Sequence, residues 1–252
     1  MQVPRSEANL RLLHALAAGC VGALASAAYA GPPFVTDDPE PVEYHAWEVN
    51  YALTGVRDAG GTMDFLPQID ANYEPAPGVQ LHVQPQAAYS RVARVQAHGI
   101  GDTELGLKRR LTPEPEGEEA WMVSAYPLYE VPTGNARRKL GAGFSSTYLP
   151  LWAQRSFGGW TVYGGGYWFD PGAGNRNAWA GGWVALYRWN ERLQLGGEWY
   201  GKTADTAGAS GSSRFDLGGT LRLAKDYSLL FSAGRGLGNA AATDVASFYL
   251  GL

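Results

Sequence analysis

Three histidines lie beyond the first thirty residues: His45, His82 and His98. With an acid and a serine, any of them could serve nucleophilic catalysis, but such a trio must meet in space, and order along the chain cannot show that. The local signatures of site chemistry are missing. There is no G-x-S-x-G turn, no H-E-x-x-H and no paired Cys/His ligand spacing. The Gly-rich stretch 134–143 lacks the strand-to-helix setting of a phosphate loop and reads as an extracellular loop. No catalytic, metal-binding or cofactor-binding residue is assigned, and no cofactor is implied. His82, between Gln80 and Gln84, reads as a hydrogen-bonded residue on a polar face, and His98 as part of a long loop.

The residues with the clearest pattern are the charged ones, which alternate with apolar residues. In Val79 to Ser90, Val79, Leu81, Val83, Pro85, Ala87 and Tyr89 share one face, while Gln80, His82, Gln84, Gln86 and Ser90 share the other. Trp47 to Thr54 sets Trp47, Val49, Tyr51 and Leu53 against Glu48 and Asn50. Met63 to Tyr73, Leu193 to Lys202 and Arg214 to Leu223 repeat the pattern. Side chains on a strand point to opposite faces in turn, so each segment has one apolar and one polar face. The polar faces hold Glu48, Asp64, Asp70, His82, Glu104, Lys108, Arg110, Glu198, Lys202, Arg214, Asp216 and Arg222. Acids and bases nearly balance. They could line a solute-selecting pore, or they could form a salt-bridged filling, since unpaired charges in a confined space are costly.

About twelve such segments can be counted, each near the ~9–11 residues that cross a membrane at a tilt. Trp121 to Val131, Thr147 to Arg155, Trp160 to Phe169 and Ala178 to Arg188 place aromatics on both faces. The even-numbered links are compact (74–78, 113–118, 157–159, 190–191, 225–226). The odd-numbered ones are mostly longer (55–62, 91–101, 133–143, 171–177, 203–212, 235–243). Short turns at one end and long loops at the other mark outer-membrane barrels, with the short turns periplasmic. An even strand number puts both termini on that side. The final residues Phe248, Leu250 and Leu252 alternate to the end, as in a closing strand, although such strands usually finish on Phe.

Composition fits this reading. Mean hydropathy is −0.23, and only 17% of the residues are charged. A barrel with an apolar outside and a polar inside averages to such values. A net charge of −4 without a basic run argues against nucleic-acid binding. The 34 glycines, about twice the usual ~7%, fall in strands and loops. A soluble antiparallel sandwich would show the same alternation with its apolar faces turned inward.

Residues 1–30 read as a secretory signal. Arg5 and Arg11 precede the apolar run Leu12 to Ala27, and Ala28-Tyr29-Ala30 forms an A-x-A cleavage site. An uncleaved anchor, or a lipoprotein signal ending at Cys20, are the alternatives. Cys20 is the one cysteine, so the mature chain would carry none, which suits an oxidising compartment. Residues 31–43, with four prolines, form an extended periplasmic lead-in to the barrel, 44–252. Its Asp37-Asp38 pair could hold a cation or tuck into the periplasmic mouth. The plainer expectation is a solvated, Pro-stiffened segment.

The stretches Gly31 to Val42, Gly99 to Lys108 (G-x-G-D-x-E-L-G-x-K), Pro132-Thr133-Gly134 and Phe231 to Gly236 resemble bacterial outer-membrane proteins of the phenol-degradation meta-pathway transporter type. That resemblance implies an outer-membrane β-barrel with a role in uptake. It assigns no substrate residue. The expectation is thus an all-β, closed, antiparallel transmembrane barrel in the outer membrane. It would pass small solutes, hydrophobic or aromatic ones included, by passive diffusion. Its partners would be outer-membrane lipid and the barrel-assembly machinery. The alternatives are a closed structural or lipid-interacting barrel, and a barrel enzyme.

Overall fold

The computed structural model describes residues 32–57, 63–92, 95–114, 117, 119–138, 140–173, 175–205, 208–239 and 245–252, with backbone alone at 63–65, 89–92 and 95–96. The signal region 1–30 lies outside the described residues. Thirteen strands follow one another: β1 (Trp47–Arg57), β2 (Met63–Ala76), β3 (Val79–Val92), β4 (Val95–Arg110), β5 (Met122–Ala125), β6 (Leu128–Val131), β7 (Ser146–Phe157), β8 (Trp160–Asp170), β9 (Ala178–Arg188), β10 (Leu193–Lys202), β11 (Ser212–Ala224), β12 (Tyr227–Gly238) and β13 (Ala246–Gly251). Each pairs antiparallel with its neighbours in one sheet. β13 pairs back onto β1, from Ala52 opposite Gly251 to Arg57 opposite Ala246, and this closes the ring. Tyr51 and Leu252 exchange both backbone hydrogen bonds at 2.9 Å, so pairing runs to the last residue.

β5 and β6 together fill one position in the wall, between β4 and β7. The gap between them is Tyr126-Pro127, where Pro127 has no N–H to give. Neighbouring groups bridge it: Tyr126 N–H donates to Pro150 O, and Leu107 N–H donates to Pro127 O. Inward and outward side chains alternate without a phase change from Met122 to Glu130. The barrel therefore has twelve staves, as the sequence count suggests.

The apolar faces point outward. Tyr51, Ile69, Leu81, Val83, Leu105, Leu151, Trp183, Leu217 and Leu250 are exposed, while Asn50, Gln68, Asp70, Asn72, His82, Gln84, Glu104 and Glu198 are buried. This is the reverse of a water-soluble sandwich, whose polar faces would look outward. It decides between the two arrangements that alternation alone permits. On β7 to β9 the inner face is apolar as well. Tyr148, Trp152, Tyr163, Tyr167, Phe169, Val184 and Leu186 are all buried there.

Two expectations about connections are corrected. Residues 91–101 were expected as a long loop, yet β3 runs to Val92 and β4 begins at Val95. His98 therefore lies within β4, opposite Tyr89. The Gly-rich stretch around it is accommodated by an irregularity in register between Pro85 and Ala87. Conversely, the link 111–121 is not compact. The other short links hold: 77–78, 158–159, 189–192 and 225–226 lie at one end of the barrel.

Replacing Leu151 on the outer face of β7 by Arg should cost about 2–4 kcal/mol if it faces the bilayer midplane. Urea unfolding of the protein inserted in lipid vesicles measures this. An unchanged midpoint would mean that the face does not meet lipid.

Candidate functional site

The lumen is crossed by the segment before β1. Its sequence, Pro32-Pro33-Phe34-Val35-Thr36-Asp37-Asp38-Pro39, is too proline-rich for a helix and pairs with no strand. Its backbone groups must then find partners elsewhere, because buried N–H and C=O groups rarely go unpaired. Inward side chains of the barrel supply them. Glu198 on β10 is fully buried and accepts from two consecutive amides, Val35 N–H at 3.1 Å and Thr36 N–H at 2.5 Å. Ser232 on β12 donates to Pro33 O, and Ser124 on β5 donates to Pro39 O, both at 2.5 Å. Lys108 on β4 donates to Glu40 O and to Asp37 Oδ1, both at 3.3 Å. Gln80 on β3 accepts from Val42 N–H at 2.8 Å. Gly182 on β9 allows the close approach, since a Cβ there would overlap the Thr36 hydroxyl.

The segment therefore enters mid-lumen beside β12. It passes β10 and β9, reaches β4 and β5, and leaves along β3 at the short-turn end. There Tyr44 bridges to Glu74. The expected solvated lead-in is instead buried, with Phe34, Thr36 and Asp37 each at most 3% exposed. A short chain without secondary structure of its own can be buried only if the wall offers matching donors and acceptors, and this wall does.

The charges foreseen on the polar faces fall into three groups. Asp70, His82, Glu104 and Lys108 meet on the β2–β4 wall. His82 sits between two carboxylates, with Nδ1 3.0 Å from Asp70 and Nε2 3.2 Å from Glu104. Asn72 donates to Asp70 and accepts from Gln80, and Gln84 donates to Gln68. Lys108 also reaches Asp38 at 3.7 Å. Glu198, Arg214 and Asp216 lie together on the opposite wall, where Arg214 grips Asp216 through Nε at 2.8 Å and Nη2 at 2.5 Å. Arg214 also contacts Ser247. The third group sits at the rims. Arg110 pairs with Glu114, Lys202 pairs with Asp205 at 2.8 Å, Glu48 accepts from Asn50, and Arg222 is exposed near the β11–β12 turn. The side chain of Asp64 lies outside the described residues.

Between the two polar walls, Tyr126, Tyr148, Trp152, Tyr167 and Phe169 form an aromatic wall. The Tyr167 and Tyr200 hydroxyls share a 2.6 Å hydrogen bond across its edge. Trp152 is fully buried, and its indole N–H has no hydrogen-bond partner.

Sequence reasoning missed the anchors Ser124 and Ser232 as well as Asp102. Asp102 accepts from Gly134 N–H at 2.9 Å and Ala142 N–H at 2.6 Å. It thereby folds the link 132–145 against Ala88 and Ala97 through the buried Leu140. Asp102 and Ser232 both fall inside stretches on which the family resemblance rests. Ser124 carries no local signal. The histidines do not converge: His45 rests on Tyr73, His98 is exposed on β4, and His82 is held by its two carboxylates. Among the described residues no group of His, Cys, Asp and Glu is arranged to hold a metal ion.

Burial pushes the Asp37 carboxyl up to about 7 from its ordinary 3.8, against the lowering pull of the Lys108 ammonium beside it.

No family model matches the chain, and no curated protein matches it. Among solved structures the fold is similar to the COG4313 outer membrane channel from Pseudomonas putida F1. The TM-score is 0.62 and the identity 14%, over 84% of this chain and 97% of that one. OmpT of Vibrio cholerae aligns over 84% of this chain and 98% of its own, with TM-score 0.39 and 12% identity. A mutant porin of Rh. blastica aligns over 82% and 100%, with TM-score 0.30 and 12% identity. The last two similarities are too loose to bear on this chain. The first shows that its fold is that of an outer-membrane β-barrel.

Two outcomes follow for a spin label on Pro32→Cys, read by its mobility. Glu198→Ala removes two hydrogen bonds to a carboxylate, each worth about 1.5–3 kcal/mol. It should mobilise the label, with Glu198→Gln intermediate; an unchanged spectrum would show that Glu198 does not anchor the segment. The second outcome concerns pH. Asp37 holds its proton more tightly when seated than when free, so seating is strongest in acid. It weakens as pH rises from about 4 to about 7. Label mobility should increase over that interval, and the increase should be smaller in Asp37→Asn.

Proposed function

We propose that this chain is an outer-membrane channel through which small solutes diffuse, with the lead-in as its constriction. The observation that carries the reading is the manner of closure. The lumen is crossed by a buried segment held through side-chain hydrogen bonds from the barrel wall. Such bonds exchange with water at a net cost of about 0.5–1.5 kcal/mol each for the neutral pairs and about 1.5–3 kcal/mol for those to Glu198 and Lys108, and breaking them leaves the hydrogen bonds of the barrel wall intact. Barrels of about eight strands are filled by their own side chains, whereas sixteen or more leave an aqueous channel. Twelve staves leave room for a mobile strap and, when it moves, for a narrow path.

The wall of Tyr148, Trp152, Tyr167 and Phe169 supports apolar or aromatic solutes as cargo. So does the resemblance to transporters of the phenol-degradation type. An acceptor-bearing solute would also meet the unpaired Trp152 N–H. In this reading both termini are periplasmic, the partners are membrane lipid and the assembly machinery, and no chemical step occurs. The paired lumen charges favour one competing reading, a closed barrel that serves structure alone.

Planar-bilayer recording separates the two. Deleting residues 32–42 should raise single-channel conductance several-fold over the full chain, and vesicles should take up small phenols faster. If the deletion variant folds but passes neither ions nor phenols, the channel reading falls and the closed barrel stands.

A further inference from the structure

The stretch Phe231 to Gly236 is only partly accounted for by the lumen. Ser232 donates to Pro33 O, and Gly234 makes room for the Asp216 carboxylate, which a Cβ there would overlap. Arg235 serves neither purpose. It is exposed on the outer face of β12, in line with Tyr227, Leu229, Phe231 and Ala233. On β1 the outer row runs through Trp47, Val49, Tyr51, Leu53 and Gly55, all uncharged, and ends on the exposed Arg57. At ~3.3 Å per residue and a tilt of about 40°, the row from Trp47 to Arg57 rises about 25 Å, the height of the apolar band of such barrels. Trp47 and Tyr227 stand at the short-turn end of the two rows, and the arginines at the long-loop end.

β13 brings the two arginines together. Ala246 pairs with Arg57. Ser247 pairs with Gly234, so on its other side Ala246 neighbours Arg235. The arginines thus flank one small residue, with Cα atoms about 10 Å apart, twice the spacing between strands. Neither guanidinium has an ion-pair or hydrogen-bond partner among the described residues. The carboxylates of the adjoining strands, Asp70 and Asp216, are buried in the lumen. Two like charges side by side at the edge of lipid repel unless an anion lies between them.

A dianion suits this pair. A phosphate monoester carries about two negative charges near neutral pH, and its oxygens accept from more than one guanidinium fork. A phosphodiester, the headgroup link of ordinary phospholipids, carries one charge, which a single arginine neutralises. With the long loops facing outward, this rim meets the outer leaflet, whose lipid A bears its phosphates as monoesters. We infer that Arg57 and Arg235 bind a lipid A phosphate over Ala246, with its acyl chains lying along Phe248 and Leu250. The assignment rests on the reading that both termini are periplasmic. The site straddles the seam where the ring closes, so a bound lipid spans β12, β13 and β1.

The test uses the full chain in detergent micelles and counts bound lipid by native mass spectrometry, with diphosphoryl lipid A and phosphatidylglycerol as probes. Lipid A should bind at least tenfold tighter than phosphatidylglycerol. Arg57→Gln and Arg235→Gln should each weaken lipid A about tenfold, which corresponds to about 1.4 kcal/mol, and Arg57→Lys and Arg235→Lys should lose less. Arg192→Gln, which removes an exposed arginine in a short link at the other end, should change nothing. Both target side chains project from the wall, so their variants keep the barrel, and heat-dependent gel mobility checks this. Equal affinities for the two lipids, or lipid A binding unaffected by either Gln variant, would overturn the inference. Labelling of Asn177→Cys on intact cells by an impermeant thiol reagent reports the orientation separately. Binding in micelles with no labelling on cells removes the orientation and overturns lipid A as the occupant; labelling without binding keeps the orientation and overturns the site.

Discussion

Every backbone N–H and C=O in the wall must find its partner within the protein, because hydrocarbon offers none. That requirement makes the β13–β1 pairing the joint on which the structure depends. Without it both strands would present open edges. With it, the ring has no edge, and outward positions are free to be wholly apolar. The same closure confines the inward side chains to a tube about twelve staves round. The break at Tyr126-Pro127 shows how strictly the rule is kept, since flanking carbonyls and amides take over where proline has no hydrogen to give.

Confinement then dictates what the inside contains. Charges brought into the tube must be paired or hydrogen-bonded: Asp70 and Glu104 flank His82, Asp37 and Asp38 meet Lys108, Asp216 meets Arg214, and Glu198 and Asp102 each accept from two backbone amides. A buried pair gains little net stability once its desolvation is counted. Its effect here is positional. The carboxylate of Glu198 is oriented onto two neighbouring amides, which makes it a clamp for one particular stretch of backbone. The lead-in is thus held by a pattern of single hydrogen bonds spread over five strands. That arrangement gives the segment a definite resting position without drawing on the hydrogen bonds between the strands. The aromatic wall on the remaining side presents mostly carbon, with the Tyr167 and Tyr200 hydroxyls paired to each other.

The stretches that carry the family resemblance acquire a physical explanation from this geometry. In Gly99 to Lys108, Asp102 folds the link 132–145, Glu104 holds His82 and Lys108 holds the lead-in. Ser232 of the Phe231 to Gly236 stretch donates to the lead-in at Pro33. Thr133 donates to Gly101 O, and Gly134 donates to Asp102. Four segments far apart in the chain thus specify one set of contacts, between a strap, a loop and the wall that binds them.

Period-two alternation, strand length and the alternation between compact and long links were enough to read an all-β barrel with about twelve staves from the sequence. These are local properties, set by the geometry of an extended chain, and they put Glu104, Lys108, Glu198 and Asp216 on the correct face. The direction in which that face points was legible only indirectly, through segment length, loop asymmetry and aromatic content, because alternation is the same for a sandwich and a barrel. Only closure of the sheet, through residues almost 200 apart, turns the polar face inward. The burial of the lead-in was equally out of reach. Read alone, Pro-rich residues with two aspartates describe a solvated tail. Their true surroundings are made by Glu198, Ser124, Lys108 and Ser232, which come together only when the barrel is complete.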